Sequence, residues 1–179
     1  LAEGEKPSFG DNLYFMFTHQ LGKMYMRYFL WNFSGRASDN QDAGWVGIND
    51  AFEELPVELA ENEGRNIYFA LPLLLGFFGL FIQFKKDIKY FWVTLLLFFL
   101  TGAALVLYLN SPPIEPRERD YIYAGSYYVF AIWIGFGVLA LYDLLKSFIK
   151  NGRVAAAVAT VIALLIPAIM AAENWDDHD

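Results

Sequence analysis

Four alternating charges, Arg117, Glu118, Arg119 and Asp120, form the run of residues with the clearest capacity for chemistry. Three prolines in the segment 110–116 stiffen the backbone that leads into this run. Two guanidinium groups can clamp a phosphate through paired hydrogen bonds, while the neighbouring carboxylates orient them. A salt-bridged cap on the helix that follows explains the same residues equally well. The sequence therefore leaves phosphate binding and capping open.

A second basic group, His19, Lys23 and Arg27, is spaced by four residues along the aromatic and apolar segment 11–33. In a helix this spacing places all three side chains on one face. We favour an amphipathic helix at the membrane interface, with its polar stripe turned toward water or lipid head groups. Two alternatives stay open. The stripe could bind the phosphate of a lipid-linked substrate, or the segment could insert partway into the membrane.

The chain ends on a cluster of acids with one histidine, Asp176, Asp177, His178 and Asp179. Hard cations such as Mg²⁺, Mn²⁺ or Ca²⁺ favour oxygen ligands of this kind, so a divalent metal is the one cofactor that the sequence suggests. A solvated acidic surface is the simpler interpretation. The chain has no cysteine, which excludes disulfides and thiolate metal sites.

Four hydrophobic blocks must position these polar groups, at residues 67–84, 90–109, 121–145 and 154–172. A helix needs about 20 apolar residues to cross a bilayer, and lipid offers no partners to backbone amides, so helices are the structure expected. Hydrophobic residues make up 56% of the chain. We predict an all-α, polytopic transmembrane bundle of four spans. A polar head, residues 1–66, precedes it and contains the amphipathic helix.

The distribution of charge predicts how these spans are oriented. The loops 85–89 and 146–153 carry a basic excess, which keeps short loops in the cytoplasm. The head, the segment 110–120 and the acidic tail 173–179 each carry net negative charge. We therefore expect a multi-pass protein with both ends on the extracytoplasmic side, where all three polar clusters meet.

The interiors of the spans contain little ionisable chemistry. Asp143 is the one charge within the blocks, and it lies near the cytoplasmic end of the third. Ion-coupled transporters keep acids or histidines at mid-membrane, so this pattern argues against transport. Ala155, Ala159 and Ala163 form a stripe of small residues that predicts close packing of the fourth span against a neighbouring helix.

Several long stretches carry a resemblance to a known family. They are MYMRYFLWNFSGRASDNQ at 24–41, NIYFALPLLLGFFGLF at 66–81, YLNSPPIEPRERDYIYAGSYYVFAIWIGFGVLAL at 108–141, and NWDDHD at 174–179. Together they closely resemble the bacterial membrane proteins grouped as the DUF2723 family, over nearly the whole chain. Arg117, Glu118, Arg119 and Asp120 match characteristic positions of that family, as do Asp176, Asp177 and His178.

The resemblance implies a function. Members look like multi-span glycosyltransferases of the GT-C type, related to protein O-mannosyltransferases. They imply transfer of a sugar from a polyprenyl-phosphate donor to protein hydroxyls, outside the cytoplasm, at the bacterial inner membrane. The base in such enzymes is an acid of the first external loop, near the start of the full chain. We therefore expect this chain to be a fragment, the later membrane portion, with the catalytic acid outside it.

The hypothesis from sequence is that Arg117 and Arg119, together with Lys23 and Arg27, hold a lipid-linked phosphate at the outer membrane face. The expected partners are membrane lipid, the polyprenyl-phosphate sugar, the acceptor protein and the rest of the parent chain. No nucleic acid is expected. The alternative function is a non-enzymatic membrane scaffold or a subunit for complex assembly, whose charged loops serve as docking surfaces.

Overall fold

The computed structural model describes residues 6–113 and 117–175, and most of them are helical. The helices of the first half are α1 (Phe9–Phe15), a π-helical segment (Met16–Met26), α2 (Arg27–Phe33) and the short α3 (Val57–Ala60). The helices of the second half are α4 (Leu71–Lys86), α5 (Ile88–Thr101), α6 (Ala103–Leu109), α7 (Ala124–Phe148) and α8 (Gly152–Glu173). Two-residue strands, β1 (Gly35–Arg36) and β2 (Asn66–Ile67), pair antiparallel.

Three helical stretches are long and apolar enough to cross a membrane: Ile88–Leu109, Asp120–Phe148 and Gly152–Glu173. They match three of the four predicted spans. The first predicted span, 67–84, corresponds to α4, which has 16 residues. Its helix begins four residues later than predicted because Phe69 and Ala70 both have a positive φ of 52°. That backbone conformation is incompatible with a right-handed helix, so residues 67–70 lie outside it.

α4 and α7 are the most closely packed pair, and glycines make the approach possible. A Cβ on Gly79 would collide with the carbonyl oxygen of Trp133, and one on Gly137 with the carbonyl of Leu75. Small residues let membrane helices approach to backbone contact, where dispersion forces hold them together. Gln83 adds a polar connection, because its Oε1 accepts a hydrogen bond from Trp133 Nε1 at 2.7 Å.

α8 packs on α7 through part of the predicted alanine stripe. Ala155 and Ala159 are fully buried there, as predicted. Ala163 is only partly buried and lines a groove instead. The two helices therefore separate along α8, and at its far end Glu173 accepts a hydrogen bond from the backbone N–H of Ile67 at 2.7 Å.

α1, the π-helical segment and α2 follow one another without a break. We call this continuous helix the head helix. Ser8 and Asp11 begin it with a reciprocal capping box. Its second half is buried: Phe29 packs on Phe98 and Phe130 with ring centroids 5.7 and 4.9 Å apart. This differs from the favoured picture of a helix whose polar stripe faces water. The aromatic side chains find an apolar partner in α5 and α7, and they bury part of the stripe with them.

Candidate functional site

The charged segment before α7 meets the head at one carboxylate, Glu118. Arg27 donates to it twice, from Nη1 to Oε1 at 3.2 Å and from Nη2 to Oε2 at 2.9 Å. The hydroxyl of Tyr28 donates to Oε2, and the backbone N–H of Asp42 donates to Oε1 at 2.6 Å. Such charge-assisted, bidentate contacts are the stronger class of hydrogen bond. Glu118 thus joins three segments of the chain at what we call the head end of the bundle.

The surroundings of Glu118 keep it ionised. Burial by itself raises the pKa of a carboxyl, but here the hydrogen bonds from Arg27, Tyr28 and the N–H of Asp42 outweigh it. They lower the pKa of Glu118 from 4.5 to about 2. Burial and donation to this anion together raise the pKa of the Tyr28 hydroxyl. At neutral pH the site therefore holds a carboxylate, a guanidinium and a neutral phenol.

The predicted basic stripe is drawn into the same contacts. Lys23 forms an ion pair with Asp42 at 3.0 Å. Arg27 is 8% exposed, donates to the carbonyl of Ala43 at 3.2 Å, and lies over the ring of Trp31 with 4.8 Å to its centroid. The structure therefore brings Arg27 and Glu118 together directly. A phosphate bound by Arg27 would have to compete with that carboxylate.

The other predicted residues are distributed around this point. Arg117 is exposed, and the backbone N–H of Arg119 lies 3.4 Å from the hydroxyl of Tyr28. His19 stacks on Phe15 with 4.8 Å between ring centroids, one helical turn or more from the Glu118 contacts. Asp176, Asp177, His178 and Asp179 lie outside the described residues. Within residues 6–113 and 117–175, no group of three or more acids or histidines is placed to hold a metal ion.

A polar cavity of about 300 Å³ opens near the Glu118 contacts. It lies between the head, the start of α7 and the end of α8. Its lining is unusually rich in amides and charges: Trp31, Asn32, Arg36, Asn66, Tyr68, Asp120, Met170 and Asn174. Of these, sequence reasoning selected only Asp120. Asn32 and Arg36 are four residues apart, but Asn66 and Asn174 come from distant parts of the chain, so spacing could not have grouped all four. Their shared signal was that each lies in one of the stretches that carry the resemblance, 24–41, 66–81 and 174–179.

The strand pair and the loop after it hold Arg36 in place. Gly35 has a φ of 140° and approaches the carbonyl of Asn66 so closely that a side chain would collide with it. The backbone N–H of Val46 donates to the carbonyl of Gly35 at 2.9 Å. The guanidinium of Arg36 lies over Trp31, 4.4 Å from the ring centroid. A rigid backbone and an aromatic platform thus fix this cation in the cavity.

An apolar groove of about 510 Å³ runs below the polar cavity, where α8 separates from α7. Met170 lines both spaces, so they adjoin. Residues of α4, α7 and α8 form most of the groove: Pro72, Leu75, Ala131, Ile134, Val138, Thr160, Ala163, Leu164, Ile166 and Pro167. Phe33 of the head helix contributes as well. The arrangement is a polar cavity that adjoins an apolar groove at Met170.

The fold and the cavity define the class of protein: a helical membrane protein with a polar chamber at one end of its bundle. No protein-family model, curated protein or solved structure matches the chain. The family resemblance of the sequence therefore stays a prediction.

Proposed function

We propose that this chain is the later membrane portion of a GT-C-like glycosyltransferase. It would transfer a sugar from a polyprenyl-phosphate donor to protein hydroxyls on the extracytoplasmic side of the bacterial inner membrane. The observation that carries the proposal is the polar cavity at the head end. It combines Asp120 and Arg36 with amide side chains directly beside membrane-length helices. A lipid-linked sugar needs such a site at the level of the head groups.

The proposed topology has four spans, with α4 as the first. Sixteen helical residues rise about 24 Å, somewhat short of the hydrocarbon core. Lys85 and Lys86 at its end can extend their side chains to the interface and complete the crossing. The basic segments 85–89 and 146–153, where α4 meets α5 and α7 meets α8, would face the cytoplasm. This leaves the head, the segment 110–120 and the tail outside.

The contacts of Glu118 refine the roles proposed for the basic residues. Because Arg27 is engaged with Glu118, it fixes the segment that carries Arg117 and Arg119. In this proposal Arg117 and Arg119 approach the donor phosphate or the acceptor. Arg27 and Lys23 hold the head in place, and the base that deprotonates the acceptor hydroxyl belongs to another part of the enzyme.

The test uses the full-length protein in native membranes. Arg117→Ala combined with Arg119→Ala is expected to abolish transfer of labelled sugar from polyprenyl-phosphate donors to protein, while membrane insertion survives. Arg153→Ala is the matched control, because Arg153 is an exposed arginine in the first turn of α8. Full transfer activity in the double variant would overturn this role for the segment.

The alternative is a non-enzymatic scaffold or assembly subunit, and one observation favours it. Glu118 uses both oxygens to join the segment before α7 to the head, as a purely structural cap would. A scaffold would show no transfer with any polyprenyl-phosphate sugar. Loss of the head contacts would instead release partner subunits from the purified complex.

A further inference from the structure

We infer that Arg36 and the groove between α7 and α8 are the binding site for the lipid donor. The phosphodiester of a polyprenyl-phosphate sugar would lie on Arg36, its sugar in the polar cavity and its chain in the groove. The choice of this lipid rests on the proposed function. The site itself rests on the contacts of Arg36, on Asn66 and on the adjacency of the two spaces at Met170.

Arg36 is the first sign of a ligand in the polar cavity. Its Nε is buried without a hydrogen-bond partner among the residues that the structure describes. Within the same residues its side chain forms no ion pair, and its guanidinium lies over Trp31. The side chain is half-buried, so part of the guanidinium is open to a ligand. A guanidinium presents paired donors that match the oxygens of a phosphate.

Asn66 is a second, independent sign of a ligand. It is only 6% exposed, and its Nδ2 donates to Asn174 Oδ1 at 3.0 Å. Its Oδ1 is buried with no hydrogen-bond partner in the described part of the chain. Native proteins rarely leave such an oxygen unsatisfied. Because the unsatisfied atom is an acceptor, the ligand must bring a donor to it, and a sugar hydroxyl is one.

The two charged residues of the cavity divide it into two parts. Arg36 and Asp120 both line it and together carry no net charge, so an anion must lie at the guanidinium and away from the carboxylate. Asp120 can accept hydrogen bonds from hydroxyls. The asparagines offer further donors and acceptors. Together these groups suit a sugar joined to a lipid through one phosphate.

The groove supplies the place for the chain. α8 touches α7 at Ala155 and Ala159 and then moves away, which opens the space that Ala163 lines. Its lining is almost wholly apolar, and in a bilayer such a space is filled by hydrocarbon. Its volume of about 510 Å³ lies within the usual range of ligand pockets. Because Met170 lines both spaces, a chain in the groove would lie next to the polar cavity.

The first experiment measures lipid binding to the chain in nanodiscs by native mass spectrometry, with a short-chain polyprenyl-phosphate hexose as the probe. Arg36→Gln is expected to weaken binding about ten- to a hundredfold, the effect of losing charge-assisted hydrogen bonds. Arg65→Gln is the matched control. Arg65 is a head arginine outside the cavity lining, and it donates to the carbonyl of Asp50 at 3.3 Å. Unchanged affinity in Arg36→Gln would overturn the inference.

A second pair of variants tests the groove independently of the cation. Ala163→Trp fills the groove and is expected to weaken binding of both the polyprenyl-phosphate hexose and the free polyprenol. Arg36→Gln should weaken only the former. Val161→Trp is the control, since Val161 is 61% exposed on α8 and does not line the groove. Equal binding in Ala163→Trp and Val161→Trp would place the chain elsewhere and contradict the inference.

Two further probes separate this site from simpler explanations. Phosphatidylglycerol should bind the unmodified chain at least about tenfold more weakly than the polyprenyl-phosphate hexose. Equal binding would make the groove a general lipid site and overturn the inference. Sugar transfer by the full-length protein is measured separately. Arg36-dependent binding without any transfer would refute the proposed function alone, whereas transfer that survives Arg36→Gln would refute this site alone.

Discussion

The hydrogen bonds of Glu118 join the segment before α7 to the head. Its partners Arg27 and Tyr28 belong to the head helix, and Asp42 to the loop that follows. Removing one side chain of a largely buried ion pair leaves the other charge buried without a partner. The resulting loss of folding stability is larger than the stability that the intact pair contributes. We therefore expect substitutions of Glu118 to have a large effect on how the head is held against the bundle.

Glu118→Gln should loosen the head from the bundle. The amide keeps the shape but loses the charge that Arg27 and the N–H of Asp42 recognise, so we expect about 2 kcal/mol of destabilisation. Limited proteolysis between residues 34 and 66, with thermal unfolding in detergent, measures this. Glu54→Gln removes an exposed acid of the same head and should change neither. Equal proteolysis of the two variants would contradict the role given to Glu118.

The pH dependence of head docking follows from the same residue. Because the folded pKa of Glu118 is lowered to about 2 from 4.5, its contribution is fully present above pH 4.5. It is lost as the pH falls from 4.5 toward 2, since the unfolded carboxyl takes up its proton first. The difference in stability between the unmodified chain and Glu118→Gln should shrink over that window. A constant difference down to pH 2 would show that another group governs acid sensitivity.

At the scale of elements, the α4–α7 contact organises the bundle. Gly79 and Gly137 let the two backbones touch, and Gln83 connects α4 both to Trp133 of α7 and to Thr94 of α5. The head helix then packs its aromatic residues on the same α7, through Phe130. α7 is consequently the central helix of the bundle. Its small residues, rather than its length, allow the close contact with α4.

Gly137→Leu should disrupt this contact, because its Cβ alone would collide with the carbonyl of Leu75. Overpacking of this kind costs about 1–3 kcal/mol. Gly135→Leu is the control two residues away on the same helix, where a Cβ meets no atom of the described residues within 4 Å. Thermal unfolding and size-exclusion profiles in detergent distinguish the two. Similar stability of both variants would mean that α4 and α7 do not pack closely.

At the scale of the whole molecule, the proposed function requires the head end to face outward. The chain has no cysteine, so single cysteines can report on sidedness without a background. Glu61→Cys in the head should react with an impermeant maleimide added to intact spheroplasts. Lys150→Cys between α7 and α8 should react only after the membrane is opened. The reverse pattern would exclude an extracytoplasmic site, and with it the proposed glycosyl transfer.

The sequence could predict three of the membrane-length helices because hydropathy is a local sum. Eighteen or more apolar residues without a charge favour a helix in lipid whatever lies elsewhere in the chain. Boundaries were less predictable. Residues 67–70 look continuous with α4 in composition, yet the positive φ of Phe69 and Ala70 excludes them. The alanine stripe was predicted as one surface, but only Ala155 and Ala159 are fully buried, because α8 separates from α7 beyond them.

The sequence by itself thus determined the hydrophobic helices, the charge asymmetry of the loops, and the charged segment before α7. Only the tertiary structure decided that Arg27 reaches a carboxylate 91 positions away. It alone placed Arg36 with Asn66 and Asn174 around one cavity. The physical reason is that hydropathy acts over neighbouring residues, whereas a hydrogen bond or a cavity depends on distances that the chain acquires only after its helices have packed.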